Sequence, residues 1–440
     1  MFPCNGLLTY RCLTVHGTKP GRMKIFKFGG ASVNSVDRIR HIPSIIAPQL
    51  KGGLVVIVSA MGKTTNALEA VVEAFFSGDR EKALQLFGSV KKEHLDIAGK
   101  LLSTNLAACH QQLSEFFTEA EWLLHDTPVQ SYDYYYDQLV CIGELLSTGI
   151  VSHYLSETGI ANQWLDARDL VRTDNRFREA AVDWKTTRKN IQGAVSGTER
   201  LCITQGFIGS TDENESTTLG REGSDYTAAI FAQALDAESV TIWKDVSGVM
   251  NADPKDFASA VLLDELSFEE VIEMAYYGAQ VIHPKTIKPL QNGGIPLHVK
   301  CFLDPLLPGT IIHTKKTKEL PPVIVLKKKQ VLLRLRSQDF SFVGETHMAS
   351  LYGLFEKWHL KPNLIQTGAI LVQVCLDEHP RTMQLASDAA LLFDIQAETS
   401  LTLLSIRHYT PGLLDEMTAG KEMLLMQKTP DTVQVVYRES

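Results

Sequence analysis

Residues 23–33, MKIFKFGGASV, decide how the chain is read. Ile25, Phe26 and Phe28 form a short apolar stretch that reads as a strand, and the pair Gly29–Gly30 closes it. Glycine turns sharply and lets another group approach the backbone closely. Lys27, two residues upstream, adds a full charge where successive loop N–H groups can face an anion. The stretch is neither G-x-x-x-x-G-K-[ST] nor G-x-G-x-x-G. Alone it is also readable as a plain strand-to-helix turn with a solvated lysine.

Working outward, strands and helices alternate through about residue 315. GLVVIVSAMG (53–62), RLCITQGFIG (200–209) and SVTIWKDVSGV (239–249) read as buried strands, and 64–127 is largely helical in pattern. This alternation predicts a mostly parallel sheet covered by helices on both faces. HTKKTKELPPV then reads as a linker, placed at 316–322. Beyond it VLLRLRS, NLIQ, AILVQVCL, LTLLSIRH, KEMLLMQKT and TVQVVYRE are strand-like. ASLYGLFEKWHL, RTMQLASDAALLF and GLLDEMTA are helical, so two β-α-β-β units of about 55 residues fit 323–440.

The 440 residues predict two or three domains at about 150 residues each. Hydrophobic residues at 44% and charged residues at 21% suit a soluble globular chain. A net charge of −8 gives no reason to expect a nucleic-acid partner. Seven scattered cysteines without a C-x-x-C pair point to reduced thiols in the cytosol. No uninterrupted apolar run nears the ~20 residues of a membrane span. Residues 1–22 carry basic but no acidic residues and lack the apolar core of a signal peptide. They are expected to be a poorly ordered extension, with Met23 as an alternative start and a transit peptide as the second reading.

Four further stretches carry candidate chemistry. VSAMGKTTN (58–66) places Ser59 and Thr65 after a strand, at the edge where ligands bind in parallel sheets. IGELLST (142–148) sets one acid, Glu144, on an apolar helix, where it needs either a protein cation or a ligand ammonium. TLGREGSDYTAA (218–229) offers Arg221 as a bidentate grip for a carboxylate. In the same stretch Ser224 or Asp225 is expected to cap a helix whose start can stabilise a phosphate. WKDVSGVMNADPK (243–255) sets Asp245, Asp253 and Lys255 around a turn.

Together these stretches resemble the aspartate kinases of the amino-acid kinase family. KFGGASV, VVIVSAMGKTTN, GELLST, GFIG, TLGREGSDYTAA, DVSGVMNADPK, YYGAQVIHPKTIKPL and IPLHVKCFLDPLLPGT follow in family order over about 23–315. The resemblance implies a three-layer α/β/α kinase fold with a mostly parallel central sheet, then paired α+β ACT domains with a ferredoxin-like pattern. It implies ATP- and Mg²⁺-dependent phosphorylation of the β-carboxylate of L-aspartate to 4-phospho-L-aspartate, the first step toward lysine, threonine and methionine (diaminopimelate in bacteria). By position, Lys27 and Asp225 are the implied catalytic pair. Ser59, Thr65, Glu144, Arg221 and Ser224 are the implied aspartate site, with Arg221 on the α-carboxylate and Glu144 on the ammonium. Lys27, Gly29, Gly30, Ser32, Lys244, Asp245, Met250 and Lys255 are the implied ATP site. No dedicated protein metal site is expected. A cytoplasmic homodimer or higher homo-oligomer is expected, with an amino-acid effector at the ACT-like domains and no membrane partner.

The chain departs from the family pattern in places. Glu222 replaces a glycine beside Arg221, where its charge lies beside the phosphates or points to solvent. Lys244 stands where a threonine is usual, Met250 where a tyrosine is, Lys255 where an arginine is, and Gln280 where a lysine is. Asn363 stands where an acid is common, which speaks against strong lysine sensitivity. No homoserine dehydrogenase segment is seen, so the chain reads as monofunctional. The alternatives are another amino-acid kinase and a catalytically silent ACT sensor.

Overall fold

The structure is a computed structural model that describes residues 23–439 apart from 51, 196–200, 280 and 317–318. The expected extension 1–22 and the Gln280 substitution lie outside the described residues. The first unit runs β1 (Lys24–Phe28), α1 (Val36–Ile46), β2 (Leu54–Val58), α2 (Thr64–Phe76), α3 (Arg80–Leu101), α4 (Leu106–His125) and α5 (Tyr132–Glu157). It continues through β3 (Asn162–Leu165), α6 (Ala167–Leu170), α7 (Trp184–Val195), β4 (Leu201–Gln205), β5 (Ile208–Ser210), β6 (Ser216–Thr218) and α8 (Gly223–Ala234). β7 (Ser239–Lys244), β8 (Glu265–Ser267), α9 (Phe268–Tyr277), α10 (Pro284–Gly293), β9 (Leu297–Cys301) and β10 (Thr310–His313) complete it.

The central sheet has eight strands in the order β3-β4-β2-β1-β7-β9-β10-β8. All pairings are parallel except β9 with β10. β2 reads LVVIV and every residue in it is buried, as expected of a strand covered on both faces. β1 alternates, sending Phe26 and Phe28 into one apolar core and Ile25 into the other. It pairs with β2 on one side and β7 on the other, so the chain reverses its direction of travel across the sheet at β1. Ligands of open α/β sheets bind at such a point.

α5 has 26 residues and, by length and composition, is apolar enough to cross a bilayer. It does not read as an apolar run because Tyr, Ser, Thr and Gly are spread through it. In the fold it is a core helix: 83% of its most apolar stretch is buried inside the protein.

The second unit is one six-stranded sheet, β12-β13-β11-β14-β16-β15. Its elements are β11 (Val323–Ser337), α11 (Glu345–Lys357), β12 (Leu364–Thr367), β13 (Leu371–Asp377), α12 (Pro380–Ala389), β14 (Phe393–Arg407), α13 (Pro411–Thr418), β15 (Glu422–Lys428) and β16 (Thr432–Arg438). The two β-α-β-β units are therefore not separate. They share β11 and β14, which pair antiparallel along their length across a bulge between Lys327 and Gln330. β11 begins eight residues before the expected strand VLLRLRS. The strand passes through Lys327, Lys328 and Lys329, whose charge interrupts its apolar pattern, so the sequence marks only the later VLLRLRS as strand.

The units touch closely. Arg407 of β14 makes a two-pronged contact to Glu270 of α9 at 2.7 and 2.9 Å, and also reaches Glu273 at 3.0 Å. Gly278, at the end of α9, has φ +107°. A Cβ there would fall 2.1 Å from Lys327 Cε, so the glycine makes room for a side chain of the second sheet.

Candidate active site

The carboxyl ends of β1 and β2 and the amino end of α8 converge on one point. Lys27 shares a face of β1 with Ile25, the face that α8 covers. The first turn of α8 carries Asp225, and Lys27 Nζ lies 2.6 Å from Asp225 Oδ1 with both side chains largely buried. The Gly29–Gly30 pair supplies room rather than a left-handed turn, since neither has positive φ. A Cβ at Gly30 would sit 2.7 Å from the Ala60 carbonyl oxygen, and one at Gly29 would sit 3.3 Å from Lys27 Nζ. The Gly62 N–H donates to the Gly30 carbonyl at 3.0 Å, which binds the loops after β1 and β2 together.

These loops border a cavity of about 520 Å³. Of the residues singled out in the sequence, Lys27, Gly30, Ser59, Thr65, Glu144, Arg221, Ser224 and Asp225 line it. Gly29, Ser32, Lys244, Asp245, Met250 and Lys255 do not. Ser32 is buried in a 3₁₀ turn, its N–H on the Gly29 carbonyl at 2.9 Å. Lys244 Nζ donates to the Val281 carbonyl at 2.7 Å. Asp245 is paired with Arg38 of α1 at 2.6 Å. Met250 makes a short bridge to Leu262, and Lys255 is exposed.

Two expectations need correction. Ser224 and Asp225 do not cap α8; the helix starts earlier, with Glu222 at the cap position and no side-chain cap bond, which places both residues inside its first turn. Glu222 does not point to solvent. Its Oε2 accepts the His283 N–H at 2.9 Å.

The carboxylates differ in state because their surroundings differ. Burial pushes the Glu144 carboxyl up to about 8, against the opposing pull of the Ala60 N–H and Lys27. Its Oε2 has no hydrogen-bond partner among the described residues. Asp225 is equally enclosed, yet the ammonium groups of Lys27 and Lys244 outweigh burial and hold it below the usual carboxylate range. The site thus presents a carboxylate locked to a lysine and, on the same cavity, an acid with a raised pKa and one oxygen unpartnered. A ligand ammonium is the group that would complete Glu144. Among the described residues no group of three or more His, Cys, Asp or Glu is placed to hold a metal ion.

Several wall residues were not singled out in the sequence, although Phe207 and Thr218 lie within the GFIG and TLGREGSDYTAA stretches. Tyr136, Arg178, Glu179, Phe207 and Thr218 also line the cavity. Arg178 stands at φ +69°, with its guanidinium 4.1 Å over the Tyr136 ring and 3.2 Å from Glu69. Asp137 is buried behind them. Its carboxylate accepts the Arg178 and Thr218 N–H groups at 2.9 and 2.8 Å and the Thr218 hydroxyl at 2.7 Å. Burial raises its pKa to about 6 against those bonds. One signal for it was present: Asp137 precedes Glu144 by seven residues, two turns of the same helix and thus the same face. For Arg178 there was none, since its role depends on a fold-back of the chain onto α2 and α5.

Residues 22–301 match the amino acid kinase family. The chain is 32% identical over 395 residues to the lysine-sensitive aspartokinase 3 of Escherichia coli K12, covering 87% of this chain and 86% of that protein. It is 31% identical over 364 residues to the chloroplastic aspartokinase 3 of Arabidopsis thaliana, covering 80% of this chain and 64% of the relative. The crystal structure of E. coli aspartokinase III in complex with aspartate and ADP (R-state) superposes with a TM-score of 0.79 at 28% identity, over 94% of this chain and 96% of that one.

Proposed function

Because the chain belongs to the amino acid kinase family, and within it to the aspartokinases, we propose that it transfers the γ-phosphoryl group of ATP to the β-carboxylate of L-aspartate. The products are 4-phospho-L-aspartate and ADP. The observation that carries this reading is the buried Lys27–Asp225 pair opening onto the same cavity as Glu144 and Arg221.

Arg221 takes the α-carboxylate of aspartate, for which its planar fork is suited. The ammonium goes to Glu144, which ionises as it gains this partner. Ser59, Thr65 and Ser224 donate hydroxyls to the remaining oxygens. This leaves the β-carboxylate beside Lys27. An oxygen of that carboxylate attacks the γ-phosphorus, a new O–P bond forms, and the bond to the β–γ bridging oxygen breaks. Charge spreads over the equatorial oxygens in that step, and positioning with electrostatics does most of the work. Lys27 supplies the positive charge, and Asp225 fixes its direction. Gly29, Gly30 and Ser32 form the turn that admits the phosphates. The nucleotide lies toward the carboxyl end of β7, with Lys244, Asp245, Met250 and Lys255 around it. It arrives as the Mg²⁺ complex, the metal held chiefly by phosphate oxygens.

Residues 323–439 form the regulatory unit, which binds an amino-acid effector and joins subunits into a dimer or higher oligomer. The similarity to the lysine-sensitive E. coli enzyme supports the effector, and the edge strand β15, whose outer backbone groups pair with no other strand of the described residues, supports pairing with a second copy. The buried free thiols of the described residues agree with a reducing cytosol.

The test is ADP release by the full chain with MgATP, using aspartate, glutamate and N-acetylglutamate as acceptors. Aspartate-dependent turnover is expected. Turnover with another acceptor alone would shift the substrate, and no turnover with any would turn the reading toward a silent sensor.

A further inference from the structure

Glu222 occupies a position where an L-residue is strained. It precedes α8 with φ +53° and ψ +28°, the left-handed region. A non-glycine residue there is strained and persists only where neighbouring structure over-determines it. Such outliers cluster at functional sites, and Glu222 lines the cavity beside Arg221.

The side chain supplies what over-determines the backbone. Glu222 Oε2 accepts the His283 N–H at 2.9 Å. His283 is the N-cap of α10, its Nδ1 accepting the Lys285 N–H at 3.2 Å. Two residues earlier, the Val281 carbonyl accepts Lys244 Nζ at 2.7 Å. Lys244 lies within electrostatic reach of Asp225, which holds Lys27. One carboxylate bond from residue 222 therefore holds the 282–283 peptide, and the adjoining 281–282 peptide accepts Lys244.

We propose that Glu222 is a positioning residue for phosphoryl transfer: it pins the His283 N–H to the start of α8 and, through the adjoining peptide whose Val281 carbonyl accepts Lys244, sets Lys244 against the Lys27–Asp225 pair. The proposal rests on the reading of this cavity as the aspartate kinase site. It assigns a purpose to two departures from the family pattern at once. A charged side chain replaces a glycine at 222, and a lysine replaces a threonine at 244; the first holds the segment that holds the second.

The test uses the full chain with Glu222→Gln, Glu222→Gly, Lys244→Ala and the double variant Glu222→Gly/Lys244→Ala. Glycine adopts the left-handed backbone freely, so Glu222→Gly removes the pin without adding strain. Amide exchange over 281–285 is measured alongside the KM values for ATP and aspartate. Glu222→Gly is expected to speed exchange there ~10-fold and raise the ATP KM ~5- to 10-fold, the net scale of one ordinary hydrogen bond lost. The aspartate KM should stay within about twofold. Glu222→Gln keeps a carbonyl acceptor and should remain near wild type in both readouts. Lys244→Ala should raise the ATP KM by itself, and the double variant should be no worse than the more damaged single. Unchanged exchange and kinetics in Glu222→Gly would overturn the proposal. So would equal damage in Glu222→Gln, or additive losses in the double variant. Wild-type turnover is run in parallel: its absence would strike the kinase reading, whereas the exchange measurement still decides whether Glu222 pins the segment.

Discussion

Lys327 Nζ lies 2.7 Å from Asn363 Oδ1. The same asparagine donates from Nδ2 to Gln330 Oε1 at 2.7 Å and to Asp377 Oδ1 at 2.9 Å. Its polar groups are thus committed within the protein, and a lysine of the chain itself already supplies the ammonium. Burial lowers the pKa of Lys327, against the pull of Asp377. The aliphatic part of the same side chain packs on Gly278 of the kinase unit.

Free lysine is therefore expected to inhibit weakly. Its ammonium would have to displace an internal one, and Asn363 offers no negative charge to compensate a buried cation. Initial rates at saturating MgATP should fall by less than about half in millimolar lysine, a shift of under ~0.5 kcal/mol. Near-complete inhibition in that range would contradict the assignment.

Gly278→Ala should loosen the two units. Its Cβ would lie 2.1 Å from Lys327 Cε, and φ is +107°. The expected loss is roughly 1–3 kcal/mol of stability, the usual cost of overpacking together with backbone strain. Lys327→Ala in the same chain should recover the steric part and leave the backbone part. Denaturant melts of both single variants and the double separate the two; a double variant no better than Gly278→Ala would locate the damage elsewhere.

Lys27→Ala should cost both activity and stability. Removing a charge that acts on the transferring group lowers kcat by about 10²–10³. It also strands Asp225 in the interior, which costs roughly 3–5 kcal/mol. The sequence alone leads to a catalytic loss with normal folding, because the partner of Lys27 is 198 positions away in the chain. Lys27→Met with Asp225→Asn should regain most of the stability and none of the rate. Melting curves and kcat for the single and double variants give both readings; restored turnover in the double variant would remove the pair from the chemistry.

Aspartate affinity should rise with pH. In the unligated protein Glu144 titrates near 8 because it is buried. Binding the substrate ammonium favours the carboxylate and so releases a proton below that pH. The aspartate KM should therefore fall between pH 6 and about 8 and then level off, with a slope approaching tenfold per pH unit at the acid end. The stability linkage has the opposite sign. A carboxyl raised from 4.5 to about 8 in the fold stabilises it fully below the lower value, and that stability is lost as pH rises through the higher one. Glu144→Gln should melt higher than wild type at pH 8, by an amount on the order of a few kcal/mol, while losing aspartate binding. A pH-independent aspartate KM would show that Glu144 does not meet the ammonium.

The sequence by itself determined the architecture of the kinase unit and singled out many of the residues that line its cavity. Those features are local: a buried strand such as LVVIV, a glycine pair after a strand, one acid on an apolar helix. Each is visible in fewer than about 15 residues, where periodicity and turn chemistry speak directly. Tertiary structure decided what those residues meet. It put Lys27 on Asp225, gave Asp137 to Arg178 and Thr218, turned Glu222 onto His283, and set Lys327 between Asn363 and Gly278. It also merged two repeated units into one sheet through two long strands. These are contacts between residues far apart in the chain. A charged residue carries no mark of its partner, and its protonation state is set by the burial and neighbours that the completed fold supplies.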